Sequence, residues 1–404
     1  MPRRARALMS IAGLRRRAPF EVPPRRTPRP EGRNVLFVSH CDFTGNSAYH
    51  VYAIATELEH RGWSPAIAVP GRPLGVREFG RPSFQVLSHR AAQRGRLRFP
   101  DGSGPDLVHA FTPREPVRRL TLDLVRRYGC RYVVHLEDNE IAVRDSIAST
   151  YDPDAIEVFL DHAAGMTVIV DRLFELKPDH VPGARVWPGY DVAIDEPGRP
   201  RRTIRRDVGL EDSDVALVYP GHVHEANLDE VLSLYQAVRN MRADGRRLVL
   251  VRSGWNSVPP SRLPKLGTGI RDLGWIRRRR VVELLRAADI LVQPGAPGSF
   301  NDYRFPSKLP EFIASWRPVV LPRTNIGLHL EDRVEALLLD TGDPEEICEK
   351  IAVLDSDPDL EGRLGAHGRE FAVRELQWTR SVDRVVDLYG QARHAGATAL
   401  SSRA

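Results

Sequence analysis

Residues 34–62 read NVLFVSHCDFTGNSAYHVYAIATELEHRG, and the period of their pattern changes once. Val35-Leu36-Phe37-Val38 is a continuous apolar run, the mark of a parallel strand covered on both faces. Val51, Ile54, Ala55 and Leu58 then fall at i, i+3, i+4 and i+7, a single helical stripe. Asn46 or Ser47 is placed to cap that helix, and Gly62 to end it in a left-handed conformation. The intervening Asp42-Phe43-Thr44-Gly45-Asn46-Ser47 holds one glycine, which allows backbone to approach a ligand at a helix amino end. It is neither a GxGxxG fingerprint nor a P-loop, and an ordinary strand-to-helix turn also holds one glycine.

The alternation continues outward from this unit. Strand-like runs lie at 66–69, 84–87, 107–110, 132–135, 167–170 and 185–187, with helical patterns at 117–128 and 155–164. They predict a doubly wound α/β domain over residues 33–190. Pro188, Gly189, Pro197, Gly198 and Pro200 break the rhythm and mark a linker at 191–208. A second alternation follows: strand 215–219, helix 228–241, strand 248–251, helix 281–288, strand 290–292, helix 308–315, then strands 319–321 and 336–339. This predicts a second Rossmann-like parallel-sheet domain over 209–378. The two would face each other across a cleft at the carboxyl ends of their strands, where open α/β sheets bind ligands.

The chain of 404 residues is 42% hydrophobic and 28% charged, enough for two or three cores and too apolar for a wholly disordered protein. Cys41, Cys130 and Cys348 are far apart with no CxxC spacing. That argues against a zinc ribbon or disulfide framework and fits a reducing cytoplasm. No apolar run reaches the ~18 residues of a membrane span. The net charge of +6 is uneven: residues 1–30 hold nine Arg against one Glu, leaving the rest slightly acidic. Residues 1–32 therefore read as a disordered basic tail, whose apolar patch (Leu8, Met9, Ile11, Leu14) is too short for a secretory core. Such a tail suits peripheral contact with an anionic membrane, at about 1 kcal/mol per Arg; a solubilising extension is the other reading. A body without aromatic and basic interleaving argues against nucleic acid.

Two constellations lie where the cleft should open. Residues 133–140 (VVHLEDNE) end a buried strand in His135, Glu137, Asp138, Asn139 and Glu140. Such polar groups are costly there unless bonded or used, and a capped strand end with surface acids is the plainer alternative. Residues 300–314 read FNDYRFPSKLPEFIA. Pro306 near a helix start places Ser307 and Lys308 in the first turn, where lysine is disfavoured unless an anion such as a diphosphate reverses the sign. Glu311 follows about one turn later, with a carboxylate suited to sugar hydroxyls; the alternative is an ordinary Lys–Glu surface helix. The run 277–280 (RRRR) reads as a solvated helix start rather than a phosphate clamp, and His109 as structural. Trp255 and Trp316 read as packing or loop residues, while His222 and His224 face either the cleft or water.

Around Lys308 and Glu311 the chain resembles the retaining family-four glycosyltransferases of GT-B fold, over most of residues 33–392. Carrying the resemblance are 34–62, PDLVHA at 105–110, WPGYD at 187–191, LGWI at 273–276, AADILVQP at 287–294, and 306–311 leading to RPVV at 317–320. It implies a nucleotide-diphosphate sugar held mainly by the second domain. Glu311 would bind the ribose, while Ser307, Lys308 and the Leu309 backbone cradle the diphosphate. The main chain of Trp275 and Ile276 would edge the nucleobase. His135 would lie near the transferred sugar and Gly45 beside the phosphates, with His135 and Lys308 as the catalytic pair. The sugar would pass to an acceptor with retention of configuration, with no cofactor and no metal. Three departures stand out: Tyr303 where the family often has an acid, no Arg/Lys pair within 221–227 (GHVHEAN), and one glycine in the opening loop. Phosphate neutralisation would then fall on Lys308, with Arg304 or Arg252 compensating. The last helix, near 379–392, would cross back onto the first domain, followed by a disordered end. Two rivals stand beside this reading. One is a sugar-nucleotide epimerase or hydrolase, which Glu137, Asp138 and Glu140 would serve; the other is a catalytically inactive nucleotide-sugar-binding subunit.

Overall fold

The computed structural model describes residues 32–138, 152–263, 267–298, 300–357 and 359–394. The basic tail, Asn139 and Glu140, and the last ten residues, all considered above, lie outside them.

The first lobe runs β1 (Asn34–Ser39), α1 (Asn46–His60), β2 (Ser64–Val69), β3 (Gln85–Ser88), α2 (His89–Gln93), β4 (Leu107–Phe111), α3 (Glu115–Tyr128), β5 (Arg131–Leu136), α4 (Pro153–Asp161), β6 (Gly165–Val168) and β7 (Gly183–Arg185). Among the described residues its strands form one parallel sheet in the order β3-β2-β1-β4-β5-β6-β7. The second lobe adds α5 (Arg201–Asp207), β8 (Val215–Pro220), α6 (Leu228–Ala243), β9 (Leu248–Ser253), β10 (Ile270–Asp272), α7 (Arg278–Ala287), β11 (Ile290–Val292), α8 (Leu309–Ala314), β12 (Val319–Pro322), β13 (Leu337–Leu339), α9 (Pro344–Ser356) and α10 (Leu360–Glu375). Its sheet order is β10-β9-β8-β11-β12-β13. Strand order reverses between β1 and β4 in one sheet and between β8 and β11 in the other, which places a crevice outside each pair. Among the described residues no helix is long and apolar enough to cross a membrane.

The buried strands behave as their composition demands. Val35, Leu36, Phe37 and Val38 are wholly enclosed, as are Val51, Ala55 and Leu58 of the helix that follows. Each of the Val, Leu and Phe side chains contributes about 1.5–3 kcal/mol when withdrawn from water. Gly62 does end α1, at φ +74°. Several expectations need correction. Neither Asn46 nor Ser47 caps α1, since the extended residue before it is Gly45 and no side chain bonds the first turn. The strands expected at 167–170 and 185–187 end earlier, at Val168 and Arg185; beyond the second, Trp187 leaves the sheet to pack edge-on against His329 and near Phe371 of the other lobe. The stretch 191–208 also contains α5, hidden by the polar sequence RRTIRRD. This helix is held by guanidinium groups more than by an apolar stripe. Arg201 and Arg205 both pair with Asp289, and buried Arg205 also donates to the carbonyls of Ala287, Glu211 and Asp214.

The chain closes with α11 (Trp378–His394), which packs on β5, β6, β7 and α1 of the first lobe. Val385, Leu388 and Tyr389 are buried there. The Tyr389 hydroxyl lies 2.7 Å from Nδ1 of fully enclosed His109, whose Nε2 is 3.0 Å from Thr167 Oγ1. His109 is therefore structural, and burial holds its pKa well below 6.5. We expect Tyr389→Phe, which leaves an imidazole nitrogen unpaired in the core, to lower first-lobe stability by about 1–3 kcal/mol in chemical denaturation.

Candidate functional site

On the second-lobe side the crevice opens where β8 and β11 part. Tyr219 lies near the end of β8, and Gln293 follows β11 directly. The Lys308 ammonium reaches this point, donating to Gln293 Oε1 at 2.9 Å and lying 4.9 Å from the centroid of the Tyr219 ring. Beside it, Arg304 lies over the Phe300 ring and pairs with Glu230 at 3.4 Å. Burial, and then Arg304, push the Lys308 pKa down to about 7 against the pull of Glu230. His224 falls to about 4 through burial, Arg304, His222 and Lys308. These side chains face one another, and the site is poised for negative charge.

Glu311, on α8, is buried. Burial lifts its carboxyl to about 7, opposed chiefly by Arg278, whose Nη2 donates to Oε1 at 3.0 Å. The local route differs from expectation. The proline in the first turn of α8 is Pro310, and Lys308 stands just outside the helix. Leu309 donates its amide to Pro306 at 3.0 Å, so that N–H is already used. Ser307 is half-buried. The run 277–280 is exposed at the start of α7, as expected, yet Arg278 also bonds Asp191 Oδ2 at 2.9 Å and Tyr49 Oη at 3.0 Å.

Arg252 does not reach the crevice. It is wholly enclosed, and its guanidinium serves Asn256, the Gly254 carbonyl and Asp272. Ile276 packs partly into the core, whereas Trp275 is 57% exposed. Trp255 and Trp316 are loop residues, at 61% and 60% exposed; the Trp255 ring stacks with Trp275 at 6.3 Å.

The opposite wall is built around a buried carboxylate. Glu137 follows β5, accepts from the Ser47 hydroxyl, and lies 2.8 Å from His50 Nδ1 and 3.9 Å from His135 Nε2. Burial would raise its pKa, but His50, His135 and His40 outweigh that and hold it at about 2. His135 is only 2% exposed, stacks on Phe111 and places Nδ1 2.8 Å from Thr167 Oγ1; burial lowers it to about 4. Gly45 precedes α1 where any side chain would strike Cys41. Sequence reasoning missed Ser47 and His50. The signal was available: at i and i+3, both share the inward face with Val51 and Ile54.

The lobes meet across the crevice. Tyr303 accepts from Arg172 Nε at 3.1 Å and donates to Glu175 at 2.7 Å, while His329 lies 3.0 Å from Asp171. A cavity of about 790 Å³ lies between α1 and α7, with Tyr49, Phe79, Trp378 and Arg278 in its wall. Among the described residues, no group of three His, Cys, Asp or Glu side chains could hold a metal ion. Replacing Glu137 by Ala strands a ring of imidazoles, and we expect a loss of about 3–5 kcal/mol in denaturant unfolding. A carboxyl held at about 2, below its ordinary 4.5, stabilises fully above pH 4.5. Wild type and variant should therefore converge as the pH falls toward 2.

Known proteins bear on this geometry. Residues 214–357 match the family described as glycosyl transferases group 1. A D-inositol 3-phosphate glycosyltransferase of Saccharomonospora viridis is 28% identical over 86% of this chain and 80% of its own length. A relative of the same description from Thermobifida fusca is 26% identical over 72% of this chain, which spans 65% of that relative. Among solved structures, a glycosyltransferase from Rickettsia africae superposes with a TM-score of 0.68 at 12% identity, covering 90% of this chain and 99% of that one. Anabaena HepE in complex with UDP and glucose gives 0.66 at 11% identity, covering 88% and 98%. Two parallel sheets meeting at their switch points, with a cationic pocket on the second, thus coincide with a family match over the second lobe: residues 214–357 are similar to the group 1 glycosyl transferases, and the chain has the GT-B fold.

Proposed function

We propose that this glycosyl transferase moves a sugar from a nucleotide-diphosphate donor to an acceptor hydroxyl with retention of configuration, and without a metal. The observation that carries the reading is the Lys308 ammonium at the β8/β11 switch point, with buried Glu311 three residues on and paired to Arg278. The Lys308 ammonium offsets charge developing on the leaving diphosphate, as a well-placed donor in a dry site contributes ~2.7–4 kcal/mol. Arg304, balanced by Glu230 and adjacent to Lys308, takes the place of the Arg/Lys pair that residues 221–227 lack. Glu311 accepts from the ribose hydroxyls, Ser307 adds a hydroxyl to the phosphate pocket, and the chain at Trp275 and Ile276 borders the base. On the facing wall Gly45 lets the backbone approach the phosphates. His135, buried with Nδ1 beside Thr167 and Nε2 3.9 Å from Glu137, stands behind the transferred sugar on that wall. Contact between the lobes excludes water, so the acceptor rather than solvent attacks.

The two relatives' descriptions make an inositol phosphate the first acceptor to try. Action in the cytoplasm, with the basic tail against a membrane, belongs to the same proposal. An epimerase or hydrolase would instead consume the donor with no acceptor present, and product analysis with labelled donor separates the readings.

A panel of nucleoside diphosphates and nucleotide sugars tests the site directly. One compound at a hundred times its Kd should stabilise the protein by about 2.7 kcal/mol in a thermal shift. Lys308→Ala should lower the transfer rate about 10²–10³-fold. A binding-only subunit would show donor affinity without turnover in the wild type. Donor binding to the free protein needs Lys308 protonated and Glu311 ionised, and both titrate at about 7. Affinity measured across pH 5–9 should therefore peak near neutrality. It should fall in acid as Glu311 gains a proton and in base as Lys308 loses one.

A further inference from the structure

Arg278 is shared among three parts of the chain. It stands at the start of α7 in the second lobe, yet its partners are Glu311 of that lobe, Asp191 of the segment joining the lobes, and Tyr49 of α1 in the first. The guanidinium also lies over the Tyr49 ring, 4.2 Å from its centroid, combining a hydrogen bond with a cation–π contact. Tyr49 is itself fixed by neighbours of the first lobe, Phe79 at 5.2 Å and Trp378 edge-on at 6.0 Å. On its other side Arg278 faces the cavity of about 790 Å³, so the pairings are not forced by close packing. An arginine in the first turn of a helix meets the positive end of the dipole, and nothing in helix stability favours it there. Its partners, two carboxylates and a phenol, account for its placement.

Resting on the reading of Glu311 as the ribose ligand, we propose that Arg278 is a positioning residue that aims the Glu311 carboxylate and ties it to Tyr49, so that donor binding depends on contact between the lobes. A bidentate-capable guanidinium fixes the plane of a carboxylate, leaving the remaining lone pairs directed at an incoming diol. Because the same nitrogen that holds Glu311 also holds the Tyr49 hydroxyl, opening the lobes removes one support of the ribose site. Conversely, a donor bound at Glu311 favours the closed arrangement by the same factor. The groups facing Glu311 are Arg278, Asp191 and, through Arg278, Tyr49; the Asp191 carboxylate opposes ionisation of Glu311, while Arg278 and the Asp191 backbone favour it.

The test uses the full chain and UDP-glucose as probe, with titration calorimetry from pH 6 to 9 and the radius of gyration from small-angle scattering. Arg278→Gln should weaken binding about 10- to 100-fold and move the acid limb of the affinity profile to higher pH. Arg278→Lys should recover part of the loss. Tyr49→Phe keeps the ring and touches neither Glu311 nor the donor; it should weaken binding about 3- to 10-fold and reduce the compaction seen on adding donor. Adding Arg278→Gln to Glu311→Gln should cost no more than Glu311→Gln alone. Binding by both Arg278→Gln and Tyr49→Phe within twofold of wild type, with an unshifted profile, while Glu311→Gln is impaired, overturns the coupling and leaves the ribose reading intact. Should Arg278→Gln fail to fold, Tyr49→Phe alone decides. Wild-type protein that binds neither this probe nor any other nucleotide sugar overturns the reading of Glu311, and the coupling with it.

Discussion

Two ionisable side chains of opposite sign, part-buried Lys308 and buried Glu311, stand in the second lobe, and among the described residues Glu311 alone of the two has an ion-pair partner. Withdrawing such charges from water costs several kcal/mol apiece, which only close partners offset. Lys308 has a neutral amide and an aromatic face, with Glu230 acting at a distance; Glu311 has Arg278. Neither arrangement fully restores the ordinary protonation equilibrium, as the displacement of both groups toward neutrality indicates. A wall that leaves a cation and an anion only partly satisfied favours a ligand carrying phosphate and hydroxyl groups together. The parallel sheets, the switch points and the joined lobes all serve to hold that wall against its opposite.

The first-lobe wall follows a different rule. Glu137 is saturated by a hydroxyl and surrounding imidazoles, and its charge is locked in place. The carboxylate therefore behaves as scaffold, organising His135 from the side, rather than as a proton donor at neutral pH. This weakens the case for a paired acid/base set in this lobe, on which an epimerase reading would rely. Asp138 lies outside that buried hub and acts instead on Arg304 across the crevice.

Much of the fold was legible because parallel strands buried on both faces leave unbroken apolar runs, as at Val35–Val38 and again at Ile290–Val292. The elements that were hidden are those stabilised by something other than apolar periodicity. The α5 helix carries one buried aliphatic residue, Ile204, and owes its place to Asp289, more than eighty positions away. At 306–311 the residue types pointed to the correct wall, but two prolines compete to enter the helix. Local sequence does not decide that Pro310 wins, nor that Lys308 turns back toward Gln293. The roles of Ser47, His50 and Arg278 depend on partners in other segments: Glu137 for the first two, Glu311 and Tyr49 for the third. No local pattern encodes such a meeting.

The C-terminal helix has an implication for how the molecule is made. All strands of the first sheet are synthesised before residue 186, but the helix that covers β5, β6 and β7 is the last described part of the chain to leave the ribosome. Until then one flank of that sheet, including the enclosed His109, lacks its cover, and an exposed apolar sheet face invites aggregation. The nascent first lobe thus waits for the whole second lobe to emerge. Folding here ends by stitching the tail of the chain back onto its beginning, and a ribosome stalled before residue 378 would leave a half-clad sheet for chaperones to shield.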